Sequence, residues 1–185
     1  MSLHPIDQKK PNWSDEDLER MMIFCILDRA QSYENVCKVF DHLNRNLLTS
    51  RKSLKLLSVD DLERELRKAG HRFPKQTAKF LKGFSESTIN LRTATRDELV
   101  ENLSGIGYKL ASMFLRNTRG ENYAVLDVHV KRWLKEKGVI SKSYKDQERS
   151  FLSLARMMNK TPYELDMEIW QGRRVGNKHK SKQKN

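Results

Sequence analysis

"LSGIGYKLASMFLRN", Leu103 to Asn117, joins two helical stretches through only four residues, "SGIG", and sets a lysine, Lys109, two positions past the second glycine. Gly105 and Gly107 allow positive φ and close backbone approach, while Ile106 between them can plug the joint. The apolar spacing predicts helices over 95–103 and 108–118. A link this tight leaves the first backbone N–H groups of the second helix unpaired at the positive end of its dipole, which is a ready site for phosphate.

The pattern from Leu103 through Gly105 and Gly107 reads as a helix-hairpin-helix, a module that grips a nucleic-acid strand by its backbone without reading sequence. An ordinary αα-corner that uses two glycines is the alternative. Eighteen residues beyond Lys109, in "YAVLDVHVKRWLKEKG", the apolar Ala124, Val125 and Leu126 lead into Asp127, which sits where a helix N-cap belongs. Taken alone, Asp127 is a plain N-cap and Lys109 one surface lysine among many. Their joint occurrence, a lysine just behind a hairpin and an acid opening a helix after an apolar run, points to chemistry.

The rest of the chain agrees with a nucleic-acid partner. Its 185 residues suit one core or two small lobes. Hydrophobic content of 37% with 32% charged residues excludes disordered and membrane classes, and the longest apolar stretch, "MMIFCIL" at Met21 to Leu27, is far short of the ~20 residues of a membrane helix. The opening "MSLHPIDQKKPNWSDED" lacks the apolar segment of a secretory signal, so an intracellular location, cytoplasm and nucleoid or, in a eukaryote, nucleus, is expected. Net charge is +12, of which "GRRVGNKHKSKQKN" supplies six Lys/Arg without an acid, and the remaining body keeps about +6. That excess favours a polyanionic partner, although a basic surface can also serve solubility alone. Cys25 and Cys37 lie in apolar helical patterns and read as buried free thiols. Two cysteines cannot hold a usual iron–sulfur cluster, and the five His lack ligand spacing, so no metal bound by side chains and no required cofactor are expected.

Helix start signals recur, and no stretch alternates cleanly enough for a strand. Capping patterns open at Ser14, Ser58, Thr95 and Thr161, and Gly70 stands where a helix stop belongs. Further helical runs fit 33–44, 75–84, 128–137 and 145–158. The fold class read from this pattern is all-α, with about nine short helices.

"LSGIGYKLASMFLRN…YAVLDVHV" closely resembles the helix-hairpin-helix DNA glycosylase superfamily. With "RFPKQTAKFL" at Arg72 to Leu81 and "ELDMEIW" at Glu164 to Trp170, it looks most like the second, largely archaeal class of 8-oxoguanine DNA glycosylase/AP lyases. The resemblance spans roughly residues 15–171 and implies two helical lobes flanking a DNA-binding active-site cleft. In those terms 1–28 is an N-terminal segment packing with the C-terminal lobe, and 29–126 is a central lobe with the hairpin motif at 95–118. The C-terminal lobe is then 127–171, and 172–185 is a basic, disordered tail.

By the same resemblance Lys109 is the nucleophile that attacks the sugar C1′ of an extruded nucleotide, forms a Schiff base and leads to β-elimination. Asp127 is the essential carboxylate. A lysine amine with its ordinary pKa near 10.4 needs desolvation or positive surroundings to act at neutral pH. Leu103, Gly105, Gly107 and His129 correspond to DNA-backbone contacts, and Arg72 and Phe73 to the pair that fills the gap and meets the opposite cytosine. Asp166 and Trp170 match the base-pocket wall. The implied partner is double-stranded DNA containing a damaged base, bound by a monomer away from membranes, with a potassium or sodium ion at the hairpin carbonyls. In that class the chain ends shortly after this tryptophan with a lysine that closes the pocket, whereas here it continues through the basic segment. Two alternatives stay open: a glycosylase/lyase for another damaged base, such as oxidised pyrimidines, and a non-catalytic helix-hairpin-helix DNA-binding module.

Overall fold

Met21 to Leu27, the most apolar stretch of the chain, is buried without a break within α1 (Asp15–Leu27). The computed structural model describes residues 4–7 and 12–182, with side chains through Gly172. A helix apolar on all its faces must be covered on all of them. A 3₁₀ turn at Pro5–Asp7, α2 (Tyr33–Arg45) and α5 (Pro74–Glu86) supply cover for α1, and Phe24 meets Phe40 of α2 edge-on at 5.6 Å. Against α5 pack α3 (Arg51–Lys55) and α4 (Val59–Ala69), and α4 also reaches α2. The short α6 (Arg96–Asn102) and α7 (Tyr108–Arg119) follow, tied by Arg96 Nη1 donating to Ser112 Oγ at 3.3 Å. These elements make one compact unit, Met1–Thr118.

The second unit, Arg119–Asn185, is built from α8 (Val128–Glu136), α9 (Tyr144–Met157) and α10 (Pro162–Lys182), each packed on the other two. Its core joins Leu126, Val130, Leu134, Phe151, Leu165 and Ile169, with Trp133 edge-on to Phe151 at 6.1 Å. The apolar run before α8 is not helical. Its buried backbone is satisfied from α9: Tyr144 Oη donates to the Ala124 carbonyl at 3.1 Å and Ala124 N donates to Glu148 Oε1 at 3.3 Å. Such pairing is what a buried non-helical segment requires.

Among the described residues there is no strand, as the all-α reading expects. Reciprocal capping boxes open α1, α4 and α6 at Ser14, Ser58 and Thr95, the Thr161–Glu164 pair does the same for α10, and Gly70 at φ +83° ends α4. The helix not expected is α3, whose box uses Ser53 where an acid is usual. The two units divide at 118/119, where the sequence reading drew boundaries at 28/29 and 126/127. α10 is helical through Lys182, into the segment 172–185 assigned to a disordered tail; residues 183–185 lie outside the described residues.

In the hairpin between α6 and α7, Ile106 is buried as a plug, with its N–H donating to the Leu103 carbonyl at 3.0 Å. The two glycines differ. Gly105 lies at φ +89°, and a Cβ there would stand 2.5 Å from Phe80 Cδ2 of α5. Gly107, free to adopt positive φ as well, does not, and a Cβ there would meet nothing within 4 Å. Its position immediately before α7 explains this, because its carbonyl accepts from Leu110 N and Ala111 N at 3.0 Å, as a helix cap does. Gly105→Ala combines a left-handed backbone cost of about 1–2 kcal/mol with a ring clash, so it should lose about 2 kcal/mol or more in urea unfolding. Gly107→Ala should lose less than about 1 kcal/mol; equal losses would contradict the asymmetry.

Candidate active site

Lys109 is the second residue of α7, so the hairpin that fixes the start of that helix also fixes its side chain. Its Nζ donates to Asp28 Oδ2 at 2.5 Å, with the two side chains 32% and 22% exposed. Asp28 is the C-cap of α1, and its own N–H donates to the carbonyls of Phe24 and Cys25. Cys25 behind it is fully buried. Burial, then the Asp28 charge, push the Cys25 thiol well above its ordinary range, partly opposed by Lys109, so it stays protonated and inert. The lysine, expected to be desolvated or surrounded by positive charge, is met by a carboxylate. Asp28 was not singled out, although one signal existed. An acid closing a helix with no basic residue in its last turn opposes the helix dipole and asks for a partner.

Arg72 and Phe73 lie in the turn that enters α5, where Pro74 stands at the first helical position and Phe73 is the N-cap, 38% exposed. Arg72 lies over the Phe73 ring at 5.2 Å and donates through Nη1 to the Ala30 carbonyl at 3.1 Å. Its backbone N–H donates to Gln31 Oε1 at 3.1 Å. Ala30 itself lies at φ +49°. Behind the turn, buried His71 accepts from Phe73 N through Nδ1 at 3.0 Å and lies 3.3 Å from the Leu27 carbonyl through Nε2. This pairing requires the neutral ring with its proton on Nε2, and burial holds the His71 pKa below its ordinary value.

In the second unit Asp127 caps α8: its Oδ1 accepts from both His129 N and Val130 N at 2.8 Å. His129 follows in the first turn, with Nδ1 buried and without a hydrogen-bond partner among the described residues. Asp166 and Trp170 stand one turn apart on α10, both half-buried beside the core residues Leu165 and Ile169. Thus Leu103, Gly105, Gly107 and Lys109 share the hairpin, Arg72 and Phe73 share the entry to α5, and Asp127 and His129 share the start of α8. Among the described residues no cluster of His, Cys, Asp and Glu could hold a metal ion, and no helix is long and apolar enough to cross a membrane.

Two measurements follow from this geometry. Asp127→Ala removes the acceptor for two N–H groups and should cost about 1 kcal/mol in urea unfolding, while Asp127→Asn should keep most of it. His71 has a folded-state pKa below the unfolded one, so its contribution is present above about pH 6.5 and is lost as pH falls toward the folded value. Acidification from pH 7 to pH 5 should therefore lower the wild-type urea midpoint more than that of His71→Gln; parallel curves would contradict a neutral buried ring.

A family model described as 8-oxoguanine DNA glycosylase matches residues 3–167. The chain is 31% identical over 176 residues to the 8-oxoguanine DNA glycosylase/AP lyase of Methanocaldococcus jannaschii, covering 86% of this chain and 81% of that protein. Among solved structures it is similar to the 8-oxoguanine DNA glycosylase of Thermotoga maritima, 30% identical with a TM-score of 0.70, over 85% of this chain and 79% of that one. The Methanocaldococcus jannaschii 8-oxoguanine glycosylase/lyase in complex with a 15mer DNA containing 8-oxoguanine is 29% identical, with a TM-score of 0.70, over 89% and 84%. With that match and the hairpin, lysine and capping aspartate in place, the chain belongs to the helix-hairpin-helix family of 8-oxoguanine DNA glycosylases.

Proposed function

We propose that this protein is a bifunctional DNA glycosylase and AP lyase that excises 8-oxoguanine from double-stranded DNA as a monomer, with Lys109 as nucleophile and Asp127 as the assisting carboxylate. The observation that carries the reading is the placement of Lys109 in the first turn of α7, directly behind a hairpin whose residue 107 has open space where a side chain would be. An open glycine at a helix start lets a phosphate approach the backbone N–H groups, which places the neighbouring sugar within reach of the lysine. Leu103, Gly105, Gly107 and His129 form the strand-gripping contacts, and hairpin carbonyls hold a potassium or sodium ion.

The chemistry follows from the groups present. Lys109 Nζ bonds to the sugar C1′ as the bond to the damaged base breaks, and ring opening gives an imine. The imine acidifies the adjacent sugar proton, and its loss cuts the strand 3′ to the lesion. Both cap hydrogen bonds of Asp127 fall on Oδ1, so Oδ2 keeps its lone pairs for stabilising the cationic sugar and moving protons. Phe73 and Arg72 fill the space left by the extruded nucleotide, and Trp170 supplies a flat face for the purine beside Asp166.

Borohydride reduction on a duplex bearing 8-oxoguanine should trap a covalent protein–DNA adduct, and Lys109→Gln should abolish it. Trapping that survives the substitution would sink the assignment of the nucleophile. Duplexes carrying oxidised pyrimidines, run in parallel, should trap far less, and binding without incision on every lesion would point to a non-catalytic module.

A further inference from the structure

Asp28 and Lys109 each stand at the end of a helix whose dipole opposes their charge. The carboxylate closes α1, where the dipole is negative, and the ammonium opens α7, where it is positive. Neither helix gains from its own charged residue, and each charge is balanced by the other across 2.5 Å. The carboxylate is also held in place from behind. The Asp28 backbone is anchored by two hydrogen bonds to α1 carbonyls, and Cys25 beneath it remains a neutral thiol, so Asp28 is the charged group that the end of α1 turns toward the amine.

We propose that Asp28 is a further active-site residue, which positions the Lys109 amine and accepts the proton it must lose before attack. The proposal rests on the reading of Lys109 as nucleophile. The Lys109 ammonium gives one proton to Asp28 Oδ2, and the freed lone pair bonds to C1′. The bond from C1′ to the base breaks in the same stage, and its electron pair leaves with the base, which takes up a proton from solvent. Without Asp28 the lysine has to shed that proton to bulk solvent rather than to an acceptor held at 2.5 Å. The contact also orients Nζ, because a hydrogen bond to a fixed carboxylate removes rotamers that a half-exposed lysine otherwise samples.

The test is single-turnover borohydride trapping by the full chain on an 8-oxoguanine duplex, for Asp28→Asn, Asp28→Ser and Asp28→Glu, with affinity for a reduced abasic-site duplex measured beside it. Asp28→Asn and Asp28→Ser should bind DNA as the wild type does yet trap at least ~10-fold more slowly at pH 7. Their deficit should shrink steadily toward pH 9, since hydroxide then replaces the missing acceptor. Asp28→Glu should recover most of the rate. Neutral variants that trap as fast as the wild type or faster, a deficit equal at every pH, or a glutamate variant as slow as the asparagine one would each overturn the role of Asp28. Trapping that survives Lys109→Gln overturns the nucleophile itself, a separate failure.

Discussion

The ring of Phe80 occupies the space a side chain at residue 105 would need, and that exclusion sets the geometry of the site. With glycine alone permitted there, the chain turns through φ +89°, buries Ile106 and starts α7 in a fixed direction. Lys109 is the second residue of that helix, so the position of its stem is inherited from an aromatic contact on α5. α5 in turn packs against α1, whose end carries Asp28. The lysine and its carboxylate are thus positioned by the same hydrophobic core, and tight packing leaves neither helix end free to drift independently.

Electrostatics completes what packing begins. Had Lys109 and Asp28 been chosen for helix stability, their places would be exchanged, with acid at a helix start and base at a helix end. Asp127 follows the ordinary rule, an acid at the head of α8 accepting two backbone N–H groups. The molecule therefore contains two carboxylates of different character: one satisfied by its own helix, the other by a lysine side chain at the start of a different helix. Differences of environment of this kind are how one residue type takes different parts in a reaction.

How much of this was legible in the chain depended on how local the cause was. Caps at Ser14, Ser58, Thr95 and Thr161 are decided within four residues, and the structure places them as the pattern requires. The hairpin and the cap at Asp127 were legible for the same reason. The contrast between Gly105 and Gly107 was not, because it depends on Phe80, 25 residues away in sequence, and on a cap bond seen only once α7 is formed. Asp28 is 81 residues from its partner, and no spacing rule spans that distance. α3 escaped because a serine takes the place of the acid that marks a capping box.

The connection between α1 and α2 is short and half-exposed, the sort of segment in which insertions and deletions are usually tolerated. Here it is held from both sides. Asp28 grips Lys109, the Ala30 carbonyl and Gln31 grip Arg72, and Gln31 also bonds Asn35 at the head of α2. Adding or removing one residue would shift the lysine's partner relative to the Arg72–Phe73 turn, and Ala30, already in a left-handed conformation, has little slack to absorb it. The length of this loop is therefore a heritable measurement of the distance between the two places it touches, and its variation among relatives should be more constrained than its exposure suggests.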